Sequence, residues 1–348
     1  MKNRFGNGGN MNYRIPKPDI EFHPPVYQCR RATKPFVLDG NVEKEFWQDA
    51  EFTELFADIE GEKMPKPRFN TRAKMLWDDE NLYVGAILEG DEIWGHQTER
   101  DCVIFWDNDF EIFIDPDSDT HQYYEFEMNA KNTVWDLLLT KTYRDGGKPV
   151  NGFDMHGLRT AVHIDGELNN PAADNRRWMV EVVIPFAAVN ECAQEPRNPR
   201  KGEYYRVNFS RVQWKVDVVD GQYKKRTDEN GKVLPEDNWV WAPTGVINIH
   251  YPELWGFVFF TEGDETYEIP EIEREKWQLR KMYYNVNAYY DENGHFPASL
   301  EEVVEEGSYT VVPSYVPAKH TFEISCDCAD GEHELAIMGD GRVYVYNK

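Results

Sequence analysis

The sequence of 348 residues predicts a mainly β protein, with a β-sandwich over residues 34–262 and a small α+β segment over residues 263–348. Short runs of alternating apolar and polar residues recur roughly every 10 to 25 residues in the first part, which is typical of a sandwich. Hydrophobic residues make up 41% of the chain, enough to form a folded core. After residue 264 the apolar spacing becomes that of a helix.

The clearest element of the sandwich is a β-hairpin. Its predicted strands are residues 71–77 and 82–88, and the turn at 78–81 is rich in Asp and Asn, which favour chain reversal. Short helices are predicted at residues 41–50 and 186–190. Other alternating runs predict strands at residues 109–114, 124–129, 134–139, 158–164, 179–184, 205–214 and 256–260.

The two ends of the chain depart from this pattern. Residues 1–33 are polar and rich in proline, and we predict an arm there. Residues 271–290 contain many helix formers and place Leu279 and Met282 on one face, so they predict a helix. A capping box at 299–302 predicts a second, shorter helix. The segment is completed by predicted strands at residues 321–324, 334–338 and 343–346.

The formal net charge is −25 at pH 7, which disfavours binding to nucleic acids and to anionic membranes. The short basic stretch at residues 224–226 does not offset it. A neutral ligand such as a sugar, or a cation such as calcium, is compatible with this charge. The chain has no apolar run of about 18 residues, so we predict no membrane insertion. Residues 1–10 lack the apolar region of a signal peptide, so none is predicted in this chain.

Five cysteines are scattered along the chain, and their odd number indicates no disulfide framework. Cys326 and Cys328 are separated by one residue, which is closer than the cysteine pairs that bind zinc. The sequence also lacks the nucleophile elbow, the zinc-peptidase motif and the phosphate-binding loop of common enzyme families. These observations favour a protein without chemistry of its own.

Asp115, Asp117 and Asp119 have the alternate spacing with which carboxylates in a turn converge on a hard cation. The sixth position of this stretch is Thr120 rather than glycine, and the twelfth is Phe126 rather than glutamate, so it is not an EF-hand. The three aspartates are therefore candidate ligands for a structural calcium ion. An acidic, solvated turn is the alternative.

Aromatic residues make up 14% of the chain and include 11 tryptophans and 19 tyrosines. Trp106, Trp214 and Trp241 fall at predicted strand ends or in loops, where a core does not easily absorb them. An exposed indole offers a flat face to the C–H groups of a sugar, while polar neighbours can bind the hydroxyls. This placement indicates a sugar-binding surface. A β-rich protein with aromatic-lined strands is the alternative.

Several motifs, in the right order between residues 34 and 262, resemble those of carbohydrate-binding module family 9. They are VLDG at 37–40 with FW at 46–47, KMLWDDENLYV at 74–84, WDNDFEIFID at 106–115, WAP at 241–243 and HYPELWG at 250–256. The resemblance implies a β-sandwich that holds a sugar, often at a chain end, between two tryptophans. It also implies a location outside the cytoplasm, and calcium is common in the family.

Carried over by position, the two tryptophans are Trp106 and Trp241, and the family's strand carboxylate is Glu111. Glu127 and Asn129 fall where the family places polar contacts, but Glu127 replaces an arginine, so hydroxyl recognition is expected to differ. Insertions near residues 91–105 and 215–238 are expected to cover or reshape the cleft. The predicted ligand-binding residues are Trp106, Trp241, Glu111, Glu127, Asn129, Arg211 and Trp214. Of these, Arg211 differs from the others because its place in the strand alternation is that of a core residue.

The leading prediction is non-catalytic binding of a poly- or oligosaccharide by a periplasmic or secreted protein. An enzymatic alternative is a glycoside hydrolase or lyase whose acid and base lie among Glu111, Glu125, Glu127 and Asp136. A third possibility is a protein-interaction surface that has lost its sugar site. Residues 289–300 resemble a stretch of pseudopilin globular domains, although the apolar helix that builds pilin filaments is absent.

Overall fold

The computed structural model describes residues 14–304, 307 and 309–348. Its α-helices are α1 (Phe186–Val189) and α2 (Glu271–Asn293). Its strands are β1 (Val26–Arg31), β2 (Ala57–Asp58), β3 (Thr71–Trp77), β4 (Asn81–Glu89), β5 (Asp109–Asp115), β6 (His121–Asn129), β7 (Val134–Lys141), β8 (Pro149–Val150), β9 (Arg159–Asp165), β10 (Arg177–Pro185), β11 (Tyr204–Gln213), β12 (Val216–Val219), β13 (Gln222–Lys225), β14 (Asp237–Val240), β15 (Gly256–Thr261), β16 (Pro313–Pro317), β17 (Phe322–Asp327), β18 (His333–Met338) and β19 (Val343–Asn347).

The sandwich is one curled sheet of 13 strands, in the order β8-β7-β6-β5-β11-β15-β1-β3-β4-β10-β9, with β14 beside β11 and β2 beside β14. β1 runs parallel to both of its neighbours, and the other pairs of this sheet are antiparallel. Alternate residues of the two halves meet in one core, where Ile112 and Phe126 of one half join Val84 and Val180 of the other. The predicted mainly β sandwich is therefore confirmed.

The predicted strands of the sandwich all form, with bounds that differ by at most a few residues. The predicted arm at residues 1–33 is wrong in part, because residues 26–31 form β1 between β15 and β3. Tyr27 and Cys29 alternate into the core, which is the pattern of a strand. The strand was not predicted because it is short and is flanked by proline-rich segments. Residues 1–13 of the predicted arm lie outside the described part of the chain.

The C-terminal segment forms around α2 and the antiparallel sheet β16-β17-β18-β19. Leu279 and Met282 of α2 pack with Ile324 and Leu335 of the sheet, as the helical spacing predicts. α2 ends at Gly294, which adopts the left-handed conformation with φ +75° that glycine accepts without strain. The predicted capping box at 299–302 is confirmed and opens a single 3-10 turn.

Buried ion pairs join α2 to the sandwich. Arg144 donates to both carboxylate oxygens of Glu253, at 2.7 and 3.0 Å, and Arg280 of α2 lies 3.6 Å from the same carboxylate. Arg206 of β11 forms an ion pair of 3.2 Å with Glu273 at the start of α2. These groups are buried, so separating the helix from the sheet would leave uncompensated charges. The ion pairs therefore hold α2 against the sheet. In the described part of the chain, no helix is long and apolar enough to cross a membrane.

Candidate functional site

The side of β5 and β6 that faces away from the sandwich core carries a group of carboxylates that we call the acidic face, made up of Asp109, Glu111, Glu125 and Glu127. Their neighbours in sequence, such as Ile112 and Phe126, point to the core, so alternation places the carboxylates on the opposite side. Glu111 lies directly opposite Glu127 in the strand register. Like charges in such a pair repel one another.

All four carboxylates are buried, at most 6% exposed. Burial raises the pKa of Glu111 to about 7. Burial, together with the charge of Glu111, raises the pKa of Glu125 to about 8. The pKa values of Asp109 and Glu127 are also raised well above their usual range, first by burial and then by neighbouring carboxylates. The acidic face therefore holds protons, or another source of positive charge, near neutral pH.

A loop between β4 and β5 covers part of the acidic face. The backbone N–H of Phe105 in this loop donates to the carboxylate of Glu127 at 3.1 Å. Asp107 fixes the loop by accepting bonds from the backbone N–H groups of His96 and Gln97, at 2.7 and 2.8 Å. The insertion near residues 91–105 therefore reaches the acidic face at its last residue, and its covering of a sugar cleft stays a prediction.

Three aromatic residues near the acidic face are open to solvent. Trp106 is 59% exposed, and Phe105 and Tyr143 are 36% and 39% exposed. The short 3-10 turn that contains Trp106 packs against β6. Tyr143 lies close enough to Glu125 and Glu127 that their charges, after burial, raise its pKa. An exposed indole and phenol therefore stand at the rim of a buried acidic patch.

Trp241 lies elsewhere, because its side chain is only 4% exposed and belongs to the core. Its ring packs against Phe209 with centroids 5.7 Å apart, and its Nε1 donates to Glu54 at 3.1 Å. The ring lies over Gly256, where a Cβ atom would come within 2.4 Å of it. The prediction that Trp106 and Trp241 form the two open walls of one cleft is wrong in this structure.

The side-chain amide of Asn129 is also fully hydrogen bonded within the protein. Its amide donates to Gln97 O and to Asp107, each at 3.0 Å, and its oxygen accepts the N–H groups of Lys131 and Thr133. The two donors are therefore fully used, and the acceptor receives two bonds. The predicted role of Asn129 as a direct polar contact to a sugar does not fit this geometry, in which the residue fixes the covering loop.

Two other predicted contacts are buried. Arg211 is 2% exposed on the core side of β11, where it donates to Thr71 Oγ1 and to Glu89 O, each at 2.9 Å. Its core position agrees with its place in the alternation, and burial lowers its pKa to about 9. Trp214 is 6% exposed, and its Nε1 donates to Phe105 O at 2.9 Å. Their predicted role as contacts to a sugar does not fit this burial, since both side chains are used in contacts within the protein.

The predicted loop of Asp115, Asp117 and Asp119 brings its carboxylates together, with one ligand atom from each within 4.8 Å of the others. Asp115 accepts the N–H groups of Ser118 and Thr120 at 3.0 and 2.9 Å. Burial, then the neighbouring aspartates, raises the pKa of Asp115 well above its usual range. The convergence of the three carboxylates is as predicted, and the calcium ion itself stays a prediction.

Sequence reasoning missed Asp109 and Tyr143. The signal for Asp109 was present, because it precedes Glu111 by two residues and so shares its side of β5. Tyr143 comes to the site through the fold of the β7–β8 connection, which no local pattern indicates. Among the four acids of the enzymatic alternative, Asp136 alone faces inward, where it pairs with Arg100 and accepts the N–H of Met155.

Part of the chain is similar to a known protein family and to solved structures. Residues 38–201 match the family described as carbohydrate family 9 binding domain-like. This match ends before the WAP and HYPELWG motifs. No curated protein matches the chain.

Among solved structures, a candidate carbohydrate-binding protein from Bacteroides uniformis is similar, with 14% identity and a TM-score of 0.50, over 68% of this chain and all of that one. Two structures of a family 9 carbohydrate-binding module from Caldicellulosiruptor kristjanssonii also match, each with 16% identity and a TM-score of 0.42. The cellotriose complex covers 71% of this chain and 98% of that one. The glucose complex covers 70% of this chain and all of that one. At this identity, the first match shows the fold.

Proposed function

We propose that this chain, which carries a carbohydrate family 9 binding domain-like region at residues 38–201, binds a carbohydrate at the acidic face and performs no chemistry on it. The observation that carries the proposal is Trp106, whose indole is 59% exposed beside a buried group of carboxylates. An indole has a flat apolar face and a polar N–H edge, which together suit a ligand that has both apolar and polar surface. A sugar ring is a suitable partner because it has an apolar face and polar edges.

The chemistry of the neighbouring residues fits a saccharide. Trp106 offers a flat apolar surface, and Tyr143 adds a hydroxyl at the rim. Glu111 and Glu127 are as buried as Arg211 and Trp214, so the groups at the rim, rather than these carboxyl groups, are expected to meet the sugar hydroxyls. The ligand is expected to be neutral, since a net charge of −25 and the acidic face both repel anionic saccharides. Because Trp241 is buried, we expect Trp106 to stack on one face of the sugar ring, with no second tryptophan from position 241 on the other face.

The proposal is tested by screening neutral oligosaccharides on an array, followed by calorimetry on those that bind. We expect dissociation constants on the order of micromolar to millimolar, because one or two sugar rings bury little area. The same mixtures are then assayed for newly formed reducing ends and unsaturated products. Binding without turnover supports the proposal, and a failure of all neutral saccharides to bind contradicts it.

The enzymatic alternative rests on Glu125, because burial and the charge of Glu111 raise its pKa to about 8, which suits a general acid. Release of product from a bound oligosaccharide, lost in the Glu125→Gln variant, would establish it. If every bound oligosaccharide remains intact after long incubation, the enzymatic alternative is excluded for those substrates. The interaction-surface alternative predicts no response to any sugar.

We further propose that the loop of Asp115, Asp117 and Asp119 holds a structural calcium ion. Carboxylate oxygens are the ligands that calcium prefers, and the three carboxylates converge. At a calcium concentration 100-fold above its dissociation constant, binding would add about 2.7 kcal/mol to the free energy of unfolding. Chelator should therefore lower the melting temperature of the wild type by several degrees, and by less in Asp117→Asn. An identical response in the two proteins would refute this assignment.

A further inference from the structure

Three carboxylates of the acidic face converge on one point. Asp109 and Glu111 lie on the same side of β5, and Glu127 lies opposite Glu111 on β6. One oxygen from each of the three falls within 4.8 Å of the other two. Calcium binds oxygens at about 2.3–2.6 Å, so oxygens on opposite sides of the ion are about 5 Å apart. A single ion can therefore contact all three carboxylates.

The hydrogen bonds within the protein leave part of this group unsatisfied. Asp109 is fully buried, and its Oδ1 accepts the N–H of Val212 at 3.1 Å. Among the described residues, nothing donates to its Oδ2, nor to the buried Oε2 of the neighbouring Glu125. A buried acceptor without a partner destabilises the fold, and more so when it is charged. The arrangement therefore calls for a ligand that supplies positive charge at these oxygens.

The surroundings in the described part of the chain do not supply that charge. The charges that act most strongly on Asp109 and Glu127 are those of other carboxylates. For Glu111 the strongest is Glu236, and for Glu125 it is Glu111. Buried like charges at this distance are unfavourable unless a cation or protons neutralise them. The register that pairs Glu111 directly with Glu127, with Asp109 two residues before Glu111, is consistent with such a cation.

We propose that Asp109, Glu111 and Glu127 bind a hard divalent cation of the calcium type. The three carboxylates offer up to six oxygens, which with water completes the six to eight ligands that calcium takes. Glu125, beside them on β6, provides a further unsatisfied oxygen. The bound ion would hold β5 to β6 at the site and turn their mutual repulsion into attraction. This cation site is separate from the Asp115 loop and does not depend on carbohydrate binding.

The test counts calcium ions in chelator-treated, full-length protein by calorimetry and equilibrium dialysis. Asp117→Asn serves as the background, because it weakens the loop and leaves the acidic face unchanged. We expect this variant to retain one calcium ion per chain. Adding Glu127→Gln should weaken that remaining ion at least 10-fold, while the amide oxygen can still accept the N–H of Phe105. Equal calcium binding with and without Glu127→Gln would overturn the proposal, as would no calcium binding in Asp117→Asn alone.

Melting temperatures provide a second readout that separates binding from misfolding. In chelator, Glu127→Gln should melt no lower than its background, because it removes one of several like charges. Calcium should raise the melting temperature of Asp117→Asn and have a smaller effect on the double variant. If Glu127→Gln fails to fold, Glu111→Gln replaces it with the same expectations. A carboxylate group that is neutralised by protons alone predicts no calcium effect in either background, and that result overturns the proposal.

Discussion

Trp106 and Trp241 carry the same side chain in opposite environments, and the difference explains which of them can meet a ligand. Trp106 follows a loop that ends on the acidic face, and its ring is 59% exposed. Trp241 follows β14, which pairs with β11, and its ring enters the core over Gly256. A glycine at the strand position facing a tryptophan is a cue that a large ring needs that space.

Replacing Trp241 by alanine should therefore destabilise the fold. We expect a loss of about 3–5 kcal/mol in the free energy of unfolding, because the change removes a large core ring and leaves a cavity. Trp106→Ala is the matched control and should change stability by no more than about 0.5 kcal/mol. Urea denaturation of both variants measures the difference. Equal, small effects would mean that Trp241 is not a core residue.

His250 is a second residue whose environment has a measurable consequence. Its ring lies 4.5 Å from that of Tyr143, and its Nδ1 is hydrogen bonded to Tyr123 Oη at 2.9 Å. Burial, and then the charge of Arg144, lowers its pKa from 6.5 to about 3. The folded protein keeps this ring neutral, whereas the unfolded chain protonates it below about pH 6.5. His250 therefore contributes stability above pH 6.5 that is lost as the pH falls towards 3.

The stability difference between wild type and His250→Gln should consequently shrink on acidification. Between pH 7.5 and pH 4.5 we expect the wild type to lose about 1–2 kcal/mol more than the variant, after allowing for partial exposure of the ring. Urea denaturation at the two pH values gives this difference directly. Parallel pH dependence of the two proteins would show that His250 titrates normally in the fold.

At the scale of elements, alternation and helical spacing predicted most of the fold. The strands around residues 71–88 and 109–129 could be read from the sequence because each has one apolar and one polar side. β1 could not, since its six residues lie between proline-rich stretches. The short strands β2, β8 and β14 were also not predicted. Strands of two to four residues depend on pairing with neighbouring strands, and they are too short to show a pattern of their own.

The ion pairs that hold α2 on the sandwich were also beyond sequence reasoning, because their partners are far apart in the chain. Burial opposes the ionisation of Glu253, but Arg144 and Arg280 hold its pKa at about 2. Tyr284 of α2 donates a further bond to the same carboxylate. Glu253 therefore balances two buried guanidinium groups at once.

Glu253→Gln should destabilise the protein by about 3–5 kcal/mol, because it leaves buried arginine charges without a partner. Asp79→Asn, which removes an ion pair with Arg31 at a site where Asp79 is 81% exposed, is the control and should cost no more than about 1 kcal/mol. Thermal and urea denaturation report both. A Glu253→Gln variant as stable as the control would mean that these ion pairs do not hold the helix.

At the scale of the molecule, the sequence brought together some of the candidate site residues and misplaced others. The family resemblance singled out Glu111 and Glu127, and the structure pairs them directly across β5 and β6. The two-tryptophan cleft failed because it required Trp241, whose position depends on how β14 enters the curled sheet. A location outside the cytoplasm stays a prediction, as does the division of the chain at residue 262.

The most direct test of carbohydrate binding at the acidic face is calorimetry of Trp106→Ala with the best saccharide from the array. We predict that binding falls at least 10-fold, because the exposed indole supplies the apolar surface for the sugar, while the melting temperature stays unchanged. Tyr346→Ala, which removes an exposed aromatic ring on β19, is the control and should bind like the wild type. Unchanged affinity in Trp106→Ala would contradict the account.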